Sequence, residues 1–387
     1  DVILFDPSDA DFPIGFNILQ ANSELEKTLL SSDLIATFRR FSSSWGDVMD
    51  SVLANAILAV VESADGGTLF DLKRFLVEKD FRERFLESTK DESIRYFWKH
   101  EFPLLRGKPQ SSILIRLDTF LRQRLIRNIV CQKKSKLDFR SIMDNHKILL
   151  IKLSQGAIGE ENSHLLGSLM VSKLHQIALS RQDSHHRPFF SVYMDEFHNF
   201  ITPSMESILS GVRKYNIGLV LAHQEFRQLL SRDQNVASSV LSNCYTRICF
   251  RLAETDSERL AKGFTFFEGK SFQNLGVGEA IVRIERADYD FNLKTALAQG
   301  IEAPESTRRV EEVLTASRDT YATSRHQVES ELARVFQPAS SNTAKEKRAT
   351  IKGSSDKVEE KKKSQKQRNE SPESAATPFP DSGNGQH

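Results

Sequence analysis

The chain of 387 residues is long enough for about two domains with a sizeable buried core. Its 53 Lys and Arg against 52 Asp and Glu give a net charge of +1, so any surface for nucleic acid must be local. Three cysteines without a Cys-x-x-Cys pair exclude a full set of disulfides and a zinc site of that spacing, and favour a reducing compartment. The longest apolar stretch, residues 52–61, is shorter than the about 18 residues of a membrane-spanning helix.

The first 145 residues combine a short strand with a long helical segment. Residues 2–5 read as an apolar strand, with no starting Met or signal peptide before it, which suggests a fragment of a longer protein. From about residue 22 to residue 145, apolar residues at three- and four-residue spacing predict helices. Thr68 is a candidate helix cap, and Pro103 and Pro109 interrupt the pattern. We expect an all-α subdomain with a core rich in Phe.

From residue 146 onward, apolar runs of strand length alternate with helical patterns. Strands buried on both faces and separated by helices predict an α/β fold, with a mostly parallel sheet covered by helices on both sides. Residues 278–295 alternate like a hairpin added to the sheet edge. The predicted strands of the sheet are residues 146–153, 189–194 and 217–222, with residues 245–251 as a fourth candidate.

Two adjacent carboxylates, Asp195 and Glu196, follow the second of these strands. Ligands of parallel α/β sheets bind at the carboxyl ends of the strands, so this position is informative. The pair matches a Walker B motif, in which Asp195 would hold Mg²⁺ through its water shell and Glu196 would orient or deprotonate the attacking water. The alternative is an acidic pair that simply ends a strand.

Three further side chains near strand ends are candidates for phosphate chemistry. Gln224, after the third strand, can donate to a γ-phosphate or to the attacking water. Arg213 closes the helix before that strand, where it either complements the helix dipole or reaches a neighbouring subunit's nucleotide or DNA. Arg251, at the end of the fourth candidate strand, serves either phosphate sensing or an ordinary salt bridge.

Three further observations limit the chemistry that the sequence predicts. The histidines do not have metal-ligand spacing, and we interpret them as surface or packing residues. The similarity of Asp195-Glu-Phe-His198 to a helicase box is superficial, because the rest of the chain is too short for a second ATPase lobe. No Gly-x-x-x-x-Gly-Lys-Ser/Thr loop occurs, so the chain alone is not expected to hydrolyse ATP. The histidines considered are His175, His185, His186 and His198.

The end of the chain is polar and basic. Residues 345 to 368 carry ten Lys or Arg and four acidic residues, with little that is apolar. Such a segment cannot bury enough surface to offset its chain entropy, and we expect disorder from residue 336 to the end. Lys361 to Lys363 either solubilise the tail or make a weak contact with nucleic acid or a membrane surface.

The order of these blocks is similar to that of the HerA/FtsK branch of P-loop ATPases, most closely the type IV secretion coupling proteins and conjugative DNA-transfer ATPases. The resemblance covers about residues 1 to 295, and in that family the Walker A loop precedes the point at which this chain begins. The blocks that carry it are Val2-Ile-Leu-Phe-Asp-Pro-Ser-Asp9, Pro13-Ile-Gly-Phe-Asn17, Trp45-Gly46 to Leu58, Asp80-Phe-Arg82, Phe97-Trp98, Gly167-Ser-Leu169, Asp195-Glu-Phe197, Arg213-Lys-Tyr215, His223-Gln224 and Asn243.

The resemblance implies a RecA-like motor that assembles as a ring, usually a homo-hexamer, and moves DNA with ATP and Mg²⁺. Asp195 and Glu196 take the Walker B roles and Gln224 the sensor role, while Arg213, or as second choice Arg251, is the trans-acting arginine. DNA would be held mainly through its phosphates, without sequence preference. A relaxase or secretion-channel protein is the expected partner of the all-α domain.

The resulting organisation assigns residues 1–21 and 146–335 to the RecA-like core, residues 22–145 to the all-α subdomain and residues 336–387 to a disordered basic tail. A bacterial cytoplasmic location is expected, with inner-membrane association through partners or an upstream segment. A non-catalytic scaffold that binds DNA or a secretion partner is the competing interpretation.

Overall fold

The computed structural model describes residues 1–21, 23–40, 45–64, 66–184, 186–202, 204–297 and 299–336. Residues 1–329 form one compact unit, and a second unit comprises residues 330–387. The division of the first unit into an α/β core and an all-α subdomain stays a prediction. The tail after Phe336 lies outside the described residues, and so does the disorder predicted for it. Within the described ranges, no helix has both the length and the apolar character needed to cross a membrane.

The described residues between positions 22 and 145 form mainly helices, as the spacing predicts. Thr68 caps the third helix through a capping box, in which the Thr68 hydroxyl accepts from the Asp71 N–H and the Asp71 carboxylate accepts from the Thr68 N–H at 2.9 Å. Pro109 precedes the sixth helix, where its missing N–H costs nothing. The helices are α1 (Glu24–Arg40), α2 (Asp47–Glu62), α3 (Leu69–Val77), α4 (Lys79–Ser88), α5 (Glu92–Tyr96), α6 (Gln110–Arg122), α7 (Arg124–Val130) and α8 (Phe139–Asp144).

Seven strands among the described residues form three small sheets. Strands β1 and β2 pair in parallel, β3 and β4 pair in parallel, and β5, β6 and β7 form an antiparallel sheet in that order. The strands are β1 (Val2–Phe5), β2 (Ile148–Ile151), β3 (Phe190–Met194), β4 (Ile217–Leu221), β5 (Arg247–Cys249), β6 (Glu279–Arg283) and β7 (Asp290–Lys294).

The remaining helices follow or separate these strands. The longest, α10, connects β2 to β3 and also packs against α1 of the helical segment. They are α9 (Gln155–Ile158), α10 (Glu160–Ser180), α11 (Ser204–Gly211), α12 (Phe226–Arg232), α13 (Gln234–Asn243), α14 (Glu254–Ala261), α15 (Gly269–Gln273), α16 (Ala303–Tyr321) and α17 (Arg325–Phe336).

The fourth candidate strand is not part of a parallel sheet, so that prediction is wrong. Strand β5 runs antiparallel to β6, with Cys249 opposite Ile281. The physical reason is that both residues belong to an apolar cluster with Phe264 and Phe272, which holds β5 against the β6–β7 hairpin. The predicted hairpin itself is confirmed.

The prediction that the strands are buried on both faces is also wrong. Side chains such as Ile148, Tyr193 and Val220 are exposed, the middle one to 74%. An apolar run shows that a strand can be buried, but it does not show how many layers cover it. Strands β4 and β5 also border a groove of about 560 Å³, named here the β4–β5 groove, whose lining includes Val220 and Ile248.

The pair β3–β4 rests on an apolar cluster formed with α11, α12 and α13. Phe197, three residues after the end of β3, is completely buried in this cluster with Met194, Phe226 and Leu229. Burying a Phe side chain contributes about 1.5–3 kcal/mol, so the chain after β3 is fixed in place rather than free. This packing positions the residues between Met194 and Phe197.

Gly167 of α10 lies under the ring of Phe200, which follows the same segment. A Cβ at position 167 would be 2.4 Å from Phe200 Cδ1 and 2.9 Å from Leu153 Cδ1, closer than atoms can approach. A side chain there would therefore displace the Phe200 ring.

Gly167→Ala is expected to destabilise the protein by about 1–3 kcal/mol, because the overpacking outweighs the gain of about 0.5–1 kcal/mol that Ala brings to a helix. Urea denaturation measures the effect. Gly156→Ala is the matched control, since a Cβ at position 156 meets no atom within 4 Å. Equal stability of the two variants would contradict this account.

Candidate functional site

The carboxyl ends of β3 and β4 lie side by side and are joined by backbone hydrogen bonds. Met194 and Leu221 are opposite each other in the parallel register. Beyond the strands, the Ala222 N–H donates to the Met194 carbonyl at 2.9 Å, and the Phe197 N–H donates to the Ala222 carbonyl at 3.1 Å. The residues between these bonds, Asp195 and Glu196, are therefore held beside the first residues after β4.

Glu196 adopts a left-handed backbone conformation, with φ 48° and ψ 40°. A residue with a Cβ pays about 1–2 kcal/mol for this conformation, and such strain is concentrated at functional sites. The Asp195 carboxylate accepts the Glu196 N–H at 3.0 Å and closes the turn that leads to the 3₁₀ turn Phe197–Asn199. The two carboxylates consequently diverge, with Asp195 exposed and Glu196 directed toward the neighbouring strand end.

Glu196 and Gln224 are in direct contact. Gln224 Nε2 donates to Glu196 Oε1 at 2.5 Å, and both side chains are accessible to solvent. The structure therefore brings together a carboxylate from the end of β3 and an amide from the end of β4, as the sequence predicts for parallel neighbours. A carboxylate held by a side-chain amide in this way can accept a proton from, or orient, a water molecule.

His198 flanks the same carboxylate from the buried side. Its Nδ1 lies 3.5 Å from Glu196 Oε2, and the residue is only 6% exposed. Burial lowers the pKa of His198, and Glu196 opposes that shift, while Arg232, His223 and Arg40 reinforce it. The lowered pKa favours the neutral imidazole, so the contact between His198 and Glu196 is not a full ion pair.

His198 is the residue at this site that the sequence interpretation set aside as a packing histidine. Its position in the sequence, two residues after Glu196, could have indicated this role, because the 3₁₀ turn Phe197–Asn199 brings His198 back beneath the Glu196 carboxylate. His175 fits the packing interpretation, since it is buried on α10 and burial lowers its pKa to about 4. His186 is exposed, and His185 lies outside the described residues.

The two candidate arginines lie away from the carboxylates. Arg213 is exposed in the 3₁₀ turn Val212–Tyr215, before the amino end of β4, whereas Gln224 follows the carboxyl end. The five residues of β4 alone separate these ends by about 17 Å, because a strand rises about 3.3 Å per residue. Arg251 is exposed and lies two residues after β5, which belongs to the antiparallel sheet. Neither arginine is within hydrogen-bond distance of Asp195, Glu196 or Gln224.

The carboxylate oxygens of the site are suited to a metal ion that is also bound by a ligand such as a nucleotide. They are less suited to a metal ion bound by protein side chains alone. Among the residues that the structure describes, no group of three His, Cys, Asp or Glu could hold a metal ion. Asp195 and Glu196 provide carboxylate oxygens, and Mg²⁺ is usually bound by one or two carboxylates together with substrate phosphates and water. These residues therefore fit the protein side of a magnesium–nucleotide site.

Comparison with known proteins identifies the fold that carries these residues. Residues 190–264, which contain β3, β4 and the turns after them, match the family model described as the TraM recognition site of TraD and TraG. The bacterial conjugative coupling protein TrwB is similar in structure, with a TM-score of 0.56 at 14% sequence identity, over 78% of this chain and 75% of that one. The chain has the fold of the conjugative coupling protein TrwB.

Two further matches extend this comparison. VirB4 of Thermoanaerobacter pseudethanolicus has a TM-score of 0.50 at 14% identity, over 77% of this chain and 76% of its own. An uncharacterized protein of Mycoplasma pneumoniae is 28% identical over 145 residues, which are 36% of this chain and 95% of that protein. The predicted resemblance and the RecA-like α/β fold class are confirmed. TrwB itself has been determined in complex with ADP and Mg²⁺.

Glu196→Gly is expected to raise the free energy of unfolding by about 0.5–1 kcal/mol, because Gly removes the left-handed strain while only a solvent-accessible hydrogen bond to Gln224 is lost. Thermal denaturation measures the change. Asp195→Gly is the control, since Asp195 does not have a positive φ and its replacement is expected to destabilise. A lower stability of Glu196→Gly than of the unaltered protein would show that the strain account is wrong.

Proposed function

We propose that this chain is part of an ATP-driven DNA translocase of the coupling-protein type, which works in conjugation or type IV secretion. The observation that carries the proposal is the contact between Glu196 and Gln224 across the ends of two parallel strands, beside the exposed carboxylate of Asp195. Asp195 would hold Mg²⁺, Glu196 would orient or deprotonate the attacking water, and Gln224 would sense the γ-phosphate through Glu196. When bound, Mg²⁺ neutralises the charge that develops on the phosphates.

The proposed cofactors are ATP and Mg²⁺, and support for them comes from two sources. The carboxylates after β3 have the chemistry that a magnesium–nucleotide complex needs, and TrwB binds ADP with Mg²⁺ and a non-hydrolysable ATP analogue. The 387 residues contain no phosphate-binding loop, so the loop must be supplied from outside this sequence if the site is to work.

The proposed assembly is a homo-hexameric ring of the HerA/FtsK type that contacts DNA phosphates without sequence preference. Arg213 is separated from Gln224 by the length of β4, so in this proposal it would act at the site of another subunit of the ring. A relaxase or secretion-channel protein is the proposed partner. We propose a cytoplasmic location with association to the inner membrane through those partners.

A non-catalytic scaffold is the second candidate function. It is favoured by the absence of a phosphate-binding loop from these residues and by the match of residues 190–264 to a model described as a recognition site. In this case the site after β3 would not turn over ATP, and the strand ends would serve only the fold.

Joined to a segment that carries a phosphate-binding loop and its strand, the chain is expected to show DNA-stimulated ATP hydrolysis. Glu196→Gln is then expected to abolish turnover and leave ATP binding intact, because the amide cannot take the proton of the attacking water. Phosphate release and equilibrium binding of ATP measure the two effects. The 387-residue chain alone is the control and is expected to be inactive. Normal turnover in Glu196→Gln would remove this residue from the mechanism.

Arg213→Ala is expected to reduce ATP turnover in that joined protein by about 10³ to 10⁵, the usual contribution of an arginine that acts in trans. Mixing Arg213→Ala with Glu196→Gln subunits should restore part of the activity, since each variant supplies what the other lacks at shared sites. Arg251→Ala is the comparison variant. If ATP turnover is restored when Arg251→Ala subunits are mixed with Glu196→Gln subunits, but not when Arg213→Ala subunits are, then Arg251 is the arginine that acts in trans.

A further inference from the structure

A second candidate binding site lies in a cavity of about 330 Å³ away from the strand ends. The end of α1, the middle of α10, the segment after the 3₁₀ turn Phe197–Asn199 and the end of α12 enclose it. Asp195, Glu196 and Gln224 are not among its lining residues. Six of the residues that line it carry the argument: Arg39, Arg40, Ser168, Thr202, Arg232 and Asp233.

The rim of this cavity is positively charged. Arg39 is paired with Asp50, while Arg40 donates from Nη1 to the Ile201 carbonyl at 2.9 Å. Burial and the nearby charge of Arg232 lower the pKa of Arg40 to about 10. Two guanidinium groups close enough to repel each other gain from an anion placed between them.

The carboxylate at the rim is already engaged. Asp233 caps α13, and its Oδ1 accepts the N–H groups of Asn235 at 2.8 Å and Val236 at 3.0 Å. An N-cap carboxylate of this kind is held toward the helix end by two donors. Asp233 therefore reduces but does not cancel the positive charge of Arg40 and Arg232.

The floor of the cavity provides hydroxyl groups without protein partners. Ser168 is 1% exposed and Thr202 is 2% exposed, and neither side-chain oxygen has a hydrogen-bond partner among the described residues. Buried polar groups are nearly always hydrogen-bonded, because an unmade bond costs about 1–3 kcal/mol. The hydroxyls of Ser168 and Thr202 can donate hydrogen bonds from the floor of the cavity, and the guanidinium groups of Arg40 and Arg232 provide positive charge at its rim. This combination suits a tetrahedral oxyanion.

We propose that this cavity binds a phosphate group, which Arg40 and Arg232 hold by charge-assisted hydrogen bonds and the hydroxyls of Ser168 and Thr202 hold from the floor. The site is additional to the proposed ATP site and independent of it. At about 30 Å³ per water molecule, the cavity has room for a phosphate and several waters. Either a free phosphate ion or a phosphodiester of a nucleic-acid backbone supplies this chemistry.

The first test is a calorimetric titration of the 387-residue protein with inorganic phosphate. Arg232→Gln is expected to weaken binding about tenfold, because it removes one charge-assisted hydrogen bond. Arg227→Gln is the matched control, since Arg227 is an exposed residue of the same helix that does not line the cavity, and it should bind as the unaltered protein does. Thr202→Val removes the hydroxyl with little change of shape and is expected to weaken phosphate binding. Thr202→Ser keeps the hydroxyl and should restore binding.

A second titration, with a 20-nucleotide single-stranded DNA at several salt concentrations, distinguishes the two sources of phosphate. A backbone ligand predicts that Arg232→Gln, but not Arg227→Gln, lowers DNA affinity and its salt dependence. A free-phosphate ligand predicts weaker phosphate binding in Arg232→Gln with unchanged DNA affinity. Equal effects of Arg232→Gln and Arg227→Gln in both titrations, or no effect of either, would overturn the proposal. ATP turnover enters neither measurement, so failure of the proposed ATPase activity would leave this result unaffected.

Discussion

The backbone hydrogen bonds that continue past the ends of β3 and β4 are the constraint on which the candidate site depends. The Ala222 carbonyl accepts the Phe197 N–H, and the Ala222 N–H donates to the Met194 carbonyl. The two chain segments therefore remain paired as they leave the sheet. The contact between Glu196 and Gln224 follows from this pairing, because the backbone bonds keep the two residues adjacent after the strands end. Side-chain chemistry at this edge is thus set by main-chain geometry.

The strained backbone of Glu196 is sustained by its neighbours in sequence. Phe197 is completely buried directly after it, and Met194 is buried two residues before it. Met194 and Phe197 are both anchored in the core. The two polar residues between them therefore project from the edge of the sheet. The cost of one left-handed residue is small compared with the burial of these anchors.

Much of this arrangement could be predicted from sequence because it is local or follows from parallel pairing. The Thr68 cap, the helices of residues 24–144 and the proximity of Asp195, Glu196 and Gln224 belong to this class. The partner of β5 could not be predicted, because nothing in the Arg-Ile-Cys sequence of residues 247–249 distinguishes the two sheets, and only the cluster with Phe264 and Phe272 decides. The cavity with Arg40 and Arg232 joins residues 192 positions apart, and no local pattern indicates such a contact.

The β4–β5 groove has a consequence for how the protein behaves outside a cell. Along the groove, β4 and β5 each have one pairing partner among the described residues, and apolar side chains such as Val220 and Ile248 are open to solvent. Strand edges of this kind are templates for intermolecular addition, and they make a purified chain prone to precipitate. A short extended peptide that is soluble and alternates apolar with charged residues is therefore a rational additive for keeping concentrated samples monodisperse.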